Sequence, residues 1–103
     1  EASHSLMAEI RWTEEAVSWL HDIYDYIARD DPTAASKVVN AICEKAQTLT
    51  GYPQIGHRYQ IETNDEVRII LYVHYRITYL VKNPETIDIL GVFHNALDID
   101  RYL

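Results

Sequence analysis

Residues 67–93, VRIILYVHYRITYLVKNPETIDILGVF, decide the fold of this chain of 103 residues. Valine, isoleucine, tyrosine and threonine dominate the stretch, and these residues favour β-strands. The 15 residues before Lys82 are too many for one strand of ordinary length. We therefore predict strands over residues 67–72 and 75–81, broken near Val73-His74, a turn over residues 82–86, and a last strand over residues 87–93. Gly91 is predicted to mark a bulge or a close backbone approach.

The first half of the sequence has the periodicity of two helices. Thr13 is predicted to cap a helix that runs to about Arg29, and Asp31-Pro32 is predicted to begin a second helix. The apolar stripe of the second helix comprises Ala35, Val38, Val39, Ile42, Ala46 and Leu49, and Gly51 is predicted to end it by glycine capping. A short strand over residues 8–12 comes first, and residues 59–63 are a candidate strand after a loop over residues 51–58. This order predicts an α+β fold with an N-terminal strand, an antiparallel helical hairpin and a three- to four-stranded, mostly antiparallel sheet.

Length and composition limit the class of protein. Residues 7–103 are predicted to form one domain, and residues 1–6 are interpreted as an expression leftover or a frayed start. Cys43 is the single cysteine, which excludes an intramolecular disulfide and favours a reducing, cytoplasmic setting. No apolar run reaches the roughly 18 residues of a membrane span. The net charge of −7 argues against a domain that coats nucleic acid through general positive charge.

The few basic residues make the second half of the chain the place to look for a binding site. Residues 1–50 hold nine acids and four bases, whereas residues 51–103 hold seven and five. Arg58, Arg68 and Arg76 are candidate contacts to phosphate or to a partner's carboxylates, since guanidinium binds both in bidentate geometry. The alternative, which is the commoner fate of such residues, is that they are solvated and pair with neighbouring carboxylates. The histidines at 57, 74 and 94 have no metal-ligand spacing, so the sequence predicts neither a metal nor a cofactor.

Several short pieces of the sequence occur in a characteristic order. They are Ile10-Arg11-Trp12-Thr13; Ala16, Leu20, Ile23 and Tyr26-Ile27; Pro32, Ala34 and Ala35; Leu49, Pro53, Gly56 and Arg58; Val67-Arg68; Tyr75-Arg76-Ile77 and Tyr79; and Ile87-Asp88-Ile89-Leu90 with Val92 and His94. In this order the chain, from about residue 8 to residue 98, resembles the RelE/ParE toxin superfamily of bacterial type II toxin–antitoxin, or plasmid stabilisation, systems. The fold of that superfamily agrees with the architecture predicted above.

The resemblance implies a growth-inhibiting toxin that a cognate antitoxin neutralises. ParE-like members act on DNA gyrase without hydrolysing anything, and the stretch from Pro53 to Arg58 and the strand at Tyr75-Arg76-Ile77 resemble this branch. Target contacts are then expected at Arg58, Arg68, Arg76 and His94. The alternative is a RelE-like endoribonuclease that cleaves messenger RNA on the ribosome, for which the catalytic candidates are Arg58, Arg68, Arg76 and Tyr102.

One position departs from the ParE-like pattern. Leu97 stands where an arginine is expected, which leaves a third interpretation open, an attenuated member that binds only its antitoxin. The sequence also leaves open whether the toxin forms a homodimer. The acidic balance favours a protein target over RNA, and it predicts that the antitoxin segment brings basic or apolar residues.

Overall fold

The computed structural model describes residues 7–59 and 65–94. The elements are β1 (Glu9–Trp12), α1 (Glu14–Ala28), α2 (Pro32–Gln47), a 3-10 turn (Thr48–Thr50), β2 (His57–Arg58), β3 (Val67–Tyr72), β4 (Tyr75–Asn83) and β5 (Thr86–Phe93). The strands form one sheet in the order β1-β5-β4-β3-β2, in which β1 is parallel to β5 and every other pair is antiparallel. The predicted α+β architecture is therefore confirmed, with five strands in the described residues.

Both helices begin where the sequence predicts. The Thr13 hydroxyl accepts a hydrogen bond from the Ala16 amide at 3.1 Å, and the Asp31 carboxylate accepts one from the Ala34 amide at 3.1 Å. These side chains satisfy amide groups that a helix N-terminus leaves without a partner. The prediction of a glycine cap at the end of α2 is wrong. The chain continues into the 3-10 turn, and Gly51 keeps a right-handed φ of −94°.

The helices pack on one face of the sheet. The β4–β5 register places Ile77 opposite Val92 and Tyr79 opposite Ile89, so these side chains share the helix-facing side. The fully buried residues that pack together there include Ala16, Ile42, Ala46, Leu49, Ile77, Tyr79, Ile87 and Ile89. The small alanines allow the helices to approach the sheet closely, and the large aliphatic residues supply most of the hydrophobic stabilisation.

A smaller apolar cluster forms around Phe93. Its ring meets Trp19 of α1 edge-on, with centroids 4.9 Å apart. A Cβ on Gly91 would lie 2.5 Å from Phe93 Cζ, so only glycine leaves room for this ring. Thr78 pairs with Gly91 while Tyr79 pairs with Ile89, which makes Leu90 the extra residue of a β-bulge. Gly91 therefore lies beside a bulge and against the Phe93 ring, in agreement with the prediction of a bulge or a close approach at this position.

The remaining boundaries differ modestly from the predictions. The break at Val73-His74 is confirmed, and Val73 adopts a positive φ of 54°. Strand β4 extends to Asn83, two residues beyond the predicted end. His57 and Arg58 form the short edge strand β2, where a loop was predicted. Tyr59 lies outside this strand, and residues 60–63 of the candidate strand are outside the described residues.

The described residues contain no helix that is both long and apolar enough to span a membrane.

Candidate functional site

The side chain of Arg68 is directed at the protein's own backbone. Its Nε donates to Glu66 Oε2 at 2.7 Å, and its Nη1 donates to the carbonyls of Gly56 at 2.6 Å and Gln54 at 3.2 Å. Only 15% of the Arg68 side chain is exposed. Hydrogen bonds donated by a largely buried guanidinium are charge-assisted and therefore strong. Arg68 therefore fixes the segment from Gln54 to Gly56 against strand β3.

The phenol of Tyr79 holds the same segment from strand β4. Its hydroxyl donates to the Pro53 carbonyl at 2.8 Å and accepts from the Gly56 amide at 3.0 Å. Gly56 is buried, and a Cβ there would lie 2.7 Å from both the Ile69 carbonyl oxygen and the Tyr79 hydroxyl. This close approach explains why the position requires glycine.

The segment that these two side chains fix presents two large residues to solvent. In the 52–56 loop, Tyr52 is 68% exposed and Ile55 is 62% exposed. The Ile55 amide donates to the Tyr52 carbonyl at 3.1 Å, so the loop is also closed by its own backbone. The result is a rigid loop whose bulky side chains are free to contact another molecule.

The sheet register brings two of the three candidate arginines together and separates the third. Arg58 is exposed on the edge strand β2 and lies across from Arg68. The β3–β4 register places Arg68 opposite Tyr79 and Arg76 opposite Leu71. Because side chains alternate between the faces of a sheet, Arg68 and Arg76 belong to opposite faces. Arg58 and Arg68 are therefore neighbours at the β2–β3 edge, where Glu66 and the loop carbonyls engage Arg68, and Arg76 lies apart from them.

Arg76 and His94 lie together at the other end of the sheet. Arg76 Nη1 donates to the His94 carbonyl at 3.4 Å, and the His94 ring lies 5.4 Å from that of Tyr75 and 6.1 Å from that of His74. A cavity of about 290 Å³ opens beside these rings, lined by Trp19, Asp22, Ile23, Tyr26, Tyr75, Val92 and His94. Residues 97 and 102, which the sequence also singled out, lie outside the described residues.

The titratable groups with displaced pKa values are held in their neutral forms. Burial raises the pKa of the Cys43 thiol, so the thiol is a poorer nucleophile than an exposed cysteine. Burial, and to a lesser degree the nearby Tyr26, raises the pKa of Tyr75. Burial also raises the pKa of Tyr79, although the Gly56 hydrogen bond and Arg68 act in the opposite direction. Among the described residues, no three His, Cys, Asp or Glu side chains form a group that could hold a metal ion.

Reasoning from the sequence did not identify the exposed pair Tyr52 and Ile55. One feature of the sequence could have indicated them. Both residues lie between Gly51 and Gly56, after the helical pattern ends, and no predicted helix or strand there would bury a large apolar side chain. Their exposure depends on the contacts of Arg68 and Tyr79, which come from strands far along the chain.

Comparison with known proteins identifies the family of the chain. Residues 10–99 match the model of a family described as the ParE toxin of the type II toxin–antitoxin system parDE. The chain is 35% identical over 85 residues to "Putative toxin Y4kP" of Sinorhizobium fredii, covering 82% of this chain and 85% of that protein. It also superimposes on a solved structure of the "Chromosomal ParDE TA system from P. aeruginosa", with a TM-score of 0.70, 26% identity and coverage of 89% of this chain and 99% of the other. The chain is thus a member of the ParE toxin family.

Proposed function

We propose that this protein is the toxin of a toxin–antitoxin pair, that it arrests growth by binding a protein target, DNA gyrase, and that a cognate antitoxin neutralises it. Family membership supports the first part. The observation that carries the choice of binding over RNA cleavage is the internal use of Arg68, whose donors reach Glu66 and two loop carbonyls. Phosphoryl transfer to a 2′-hydroxyl needs several cations around one phosphate, whereas Arg68 is engaged internally and Arg76 lies on the other face of the sheet from it, which leaves the exposed Arg58 alone of the three at this edge.

The helical hairpin is the surface that we assign to the antitoxin. Helix α1 contains four carboxylates and no lysine or arginine. A groove of about 460 Å³ follows its outer side and is lined by Val17, Leu20, His21, Tyr24, Asp25 and Val39. Exposed apolar side chains next to acidic ones suit a segment that alternates apolar and basic residues. The antitoxin is therefore expected to contribute such a segment.

Growth and supercoiling assays test the proposal directly. Induced expression without the neighbouring gene should arrest growth, co-expression of that gene should restore it, and the purified protein should inhibit gyrase supercoiling. Arrest with unaffected gyrase would refute the gyrase target, and translation-dependent messenger cleavage would favour the ribonuclease alternative. If the wild-type chain leaves growth normal but binds its antitoxin, Leu97→Arg tests attenuation, which predicts that the substitution creates toxicity.

One variant and one control test the assignment of the groove to the antitoxin. Tyr24→Ala should weaken antitoxin binding because the phenol lines the groove, whereas Ile55→Ala, at a more exposed apolar position outside the groove, should leave it unchanged. Isothermal titration calorimetry on both variants measures the difference. Equal affinities for the two variants would contradict the assignment.

A further inference from the structure

We propose that the 52–56 loop is the surface through which the toxin contacts its target, and that the contacted part of the target is a protein segment carrying carboxylates around an apolar side chain. The inference rests on the proposed function, since it assumes a protein target distinct from the antitoxin. It is carried by three features of the described residues, namely the rigidity of the loop, the exposure of its apolar side chains and the charge of the cavities beside it.

The rigidity of the loop is built by the sheet. Arg68 and Tyr79 hydrogen-bond the carbonyls of Pro53, Gln54 and Gly56 and the amide of Gly56. Binding through a mobile loop costs the free energy of ordering it, and a loop that is already ordered avoids this cost. Fixing a surface loop in this way contributes to recognition as well as to stability.

The exposed side chains of the loop are of the kind that dominate protein interfaces. Tyrosine is enriched among interface residues whose truncation is costly, and an aliphatic neighbour provides the apolar contact that excludes water. Tyr52 and Ile55 both line a cavity of about 630 Å³ between the loop and the end of strand β4. Ile55 also lines a second cavity, of about 310 Å³, on the other side of the loop. The side chain of Ile55 therefore lies between the two cavities, which form a recess on each side of it.

Each recess contains a lysine. Lys82 lines the larger cavity, and Lys45, with His57, lines the smaller one. Glu66 is the single carboxylate among the described lining residues, and Arg68 binds it at 2.7 Å. Lys82 also lies 3.7 Å from Asp88, but 45% of its side chain is exposed, which leaves ammonium donors for a partner. On a molecule of net charge −7, this locally positive, apolar surface complements an acidic partner.

A protein fits this surface better than a nucleic acid does. Two lysines on opposite sides of an isoleucine do not follow a phosphate backbone, which needs a continuous positive track with stacking aromatic rings. Helix α1, with the groove beside it, presents the opposite character, acidic and apolar. The two faces therefore suit two partners of different charge, the antitoxin on the helices and the target on the loop.

Alanine variants with matched controls test the inference. Tyr52→Ala and Ile55→Ala should each weaken gyrase inhibition and growth arrest by about tenfold or more, the effect typical of a central interface residue. Val73→Ala is the control, because this side chain is 71% exposed elsewhere on the surface. Lys45→Gln together with Lys82→Gln should weaken inhibition and reduce its salt dependence, whereas Lys37→Gln should not. Thermal melts confirm that every variant is folded.

The outcomes separate this inference from the proposed function. Wild-type arrest that persists undiminished in Tyr52→Ala and Ile55→Ala overturns the inference alone, as does an equal loss in the control variants. Loss of antitoxin binding in the loop variants also overturns it, because the loop would then be the antitoxin site. A single-stranded RNA oligonucleotide that binds the wild type but not Tyr52→Ala would overturn it in favour of a nucleic acid. A wild-type chain that neither arrests growth nor inhibits gyrase refutes the proposed function and the inference together.

Discussion

Replacing Gly56 by alanine should weaken the contacts that attach the 52–56 loop to the sheet. The new Cβ would lie 2.7 Å from the Ile69 carbonyl oxygen and from the Tyr79 hydroxyl, and 3.0 Å from the Ile69 carbonyl carbon. Two of these atoms belong to the backbone of strand β3, which cannot move without disturbing its pairing. The loop must therefore shift away, and the hydrogen bonds of the Gly56 amide and carbonyl to Tyr79 and Arg68 lengthen.

The expected loss of stability follows from these two effects. Steric overpacking of this kind costs about 1–3 kcal/mol, and each weakened hydrogen bond adds about 1 kcal/mol. Because the loop can shift away, overpacking should fall at the lower end of its range, and with two weakened hydrogen bonds we expect a decrease of about 3 kcal/mol in the free energy of unfolding, which corresponds to a drop of roughly 12–24 °C in Tm for a domain of this size. In urea the midpoint should fall by about 1–3 M.

Urea unfolding followed by circular dichroism measures the effect, with Gly51→Ala as the matched control. Nothing lies within 4 Å of a Cβ at Gly51, and its φ of −94° is accessible to alanine. The control should range from neutral to about 1 kcal/mol more stable, because alanine restricts the unfolded chain. A Gly56→Ala variant within about 0.5 kcal/mol of the wild type would refute the close approach and the attachment of the loop.

Three further predictions address the sheet and its turns. Arg68→Ala should lower the free energy of unfolding by about 2–3 kcal/mol, because it leaves Glu66 and two loop carbonyls without their donor. In the same urea assay, substitution of the exposed Arg58 by alanine should change stability little. Equal losses in the two variants would contradict this prediction. Val73→Asn should raise Tm by about 4–8 °C, since asparagine tolerates the positive φ at this position and relieves about 1 kcal/mol of strain, and an unchanged melt would contradict it. The free energy of unfolding should fall as pH rises past about 10, because the unfolded chain then releases tyrosine protons that the folded chain retains at its raised pKa values. Tyr79→Phe should make this fall shallower in urea unfolding measured as a function of pH. An identical slope in the variant would contradict the role of Tyr79.

The elements of the fold were predictable wherever a local rule applies. Thr13 and Asp31 begin their helices through their own side chains, and the turn at Val73-His74 follows from the excessive length of one apolar run. The end of α2 was not predictable from Gly51, because the Thr48 hydroxyl donates to the Lys45 carbonyl where the helix passes into a 3-10 turn. The strand at His57 was missed because two exposed polar residues show no alternation.

The candidate site was less predictable than the fold. Arg58, Arg68 and Arg76 look equivalent in the sequence, yet the register of the sheet exposes the first, attaches the second to a loop and turns the third to the other face. Such differences arise from pairings between residues distant in the chain. The exposure of Tyr52 and Ile55 has the same origin, which explains why residue type alone did not reveal it.

The hydroxyl of Thr13 also has a consequence for the timing of synthesis. It caps α1 and, at the same time, donates to the carbonyl of Ile89, 76 residues later in the chain. Strand β1 likewise has β5 as its neighbour in the sheet, so β1 cannot pair there until β5 has left the ribosome. Because such distant pairings form late, the sheet is completed only once β5 has emerged, and a ribosome that is still translating this message carries an unfinished toxin.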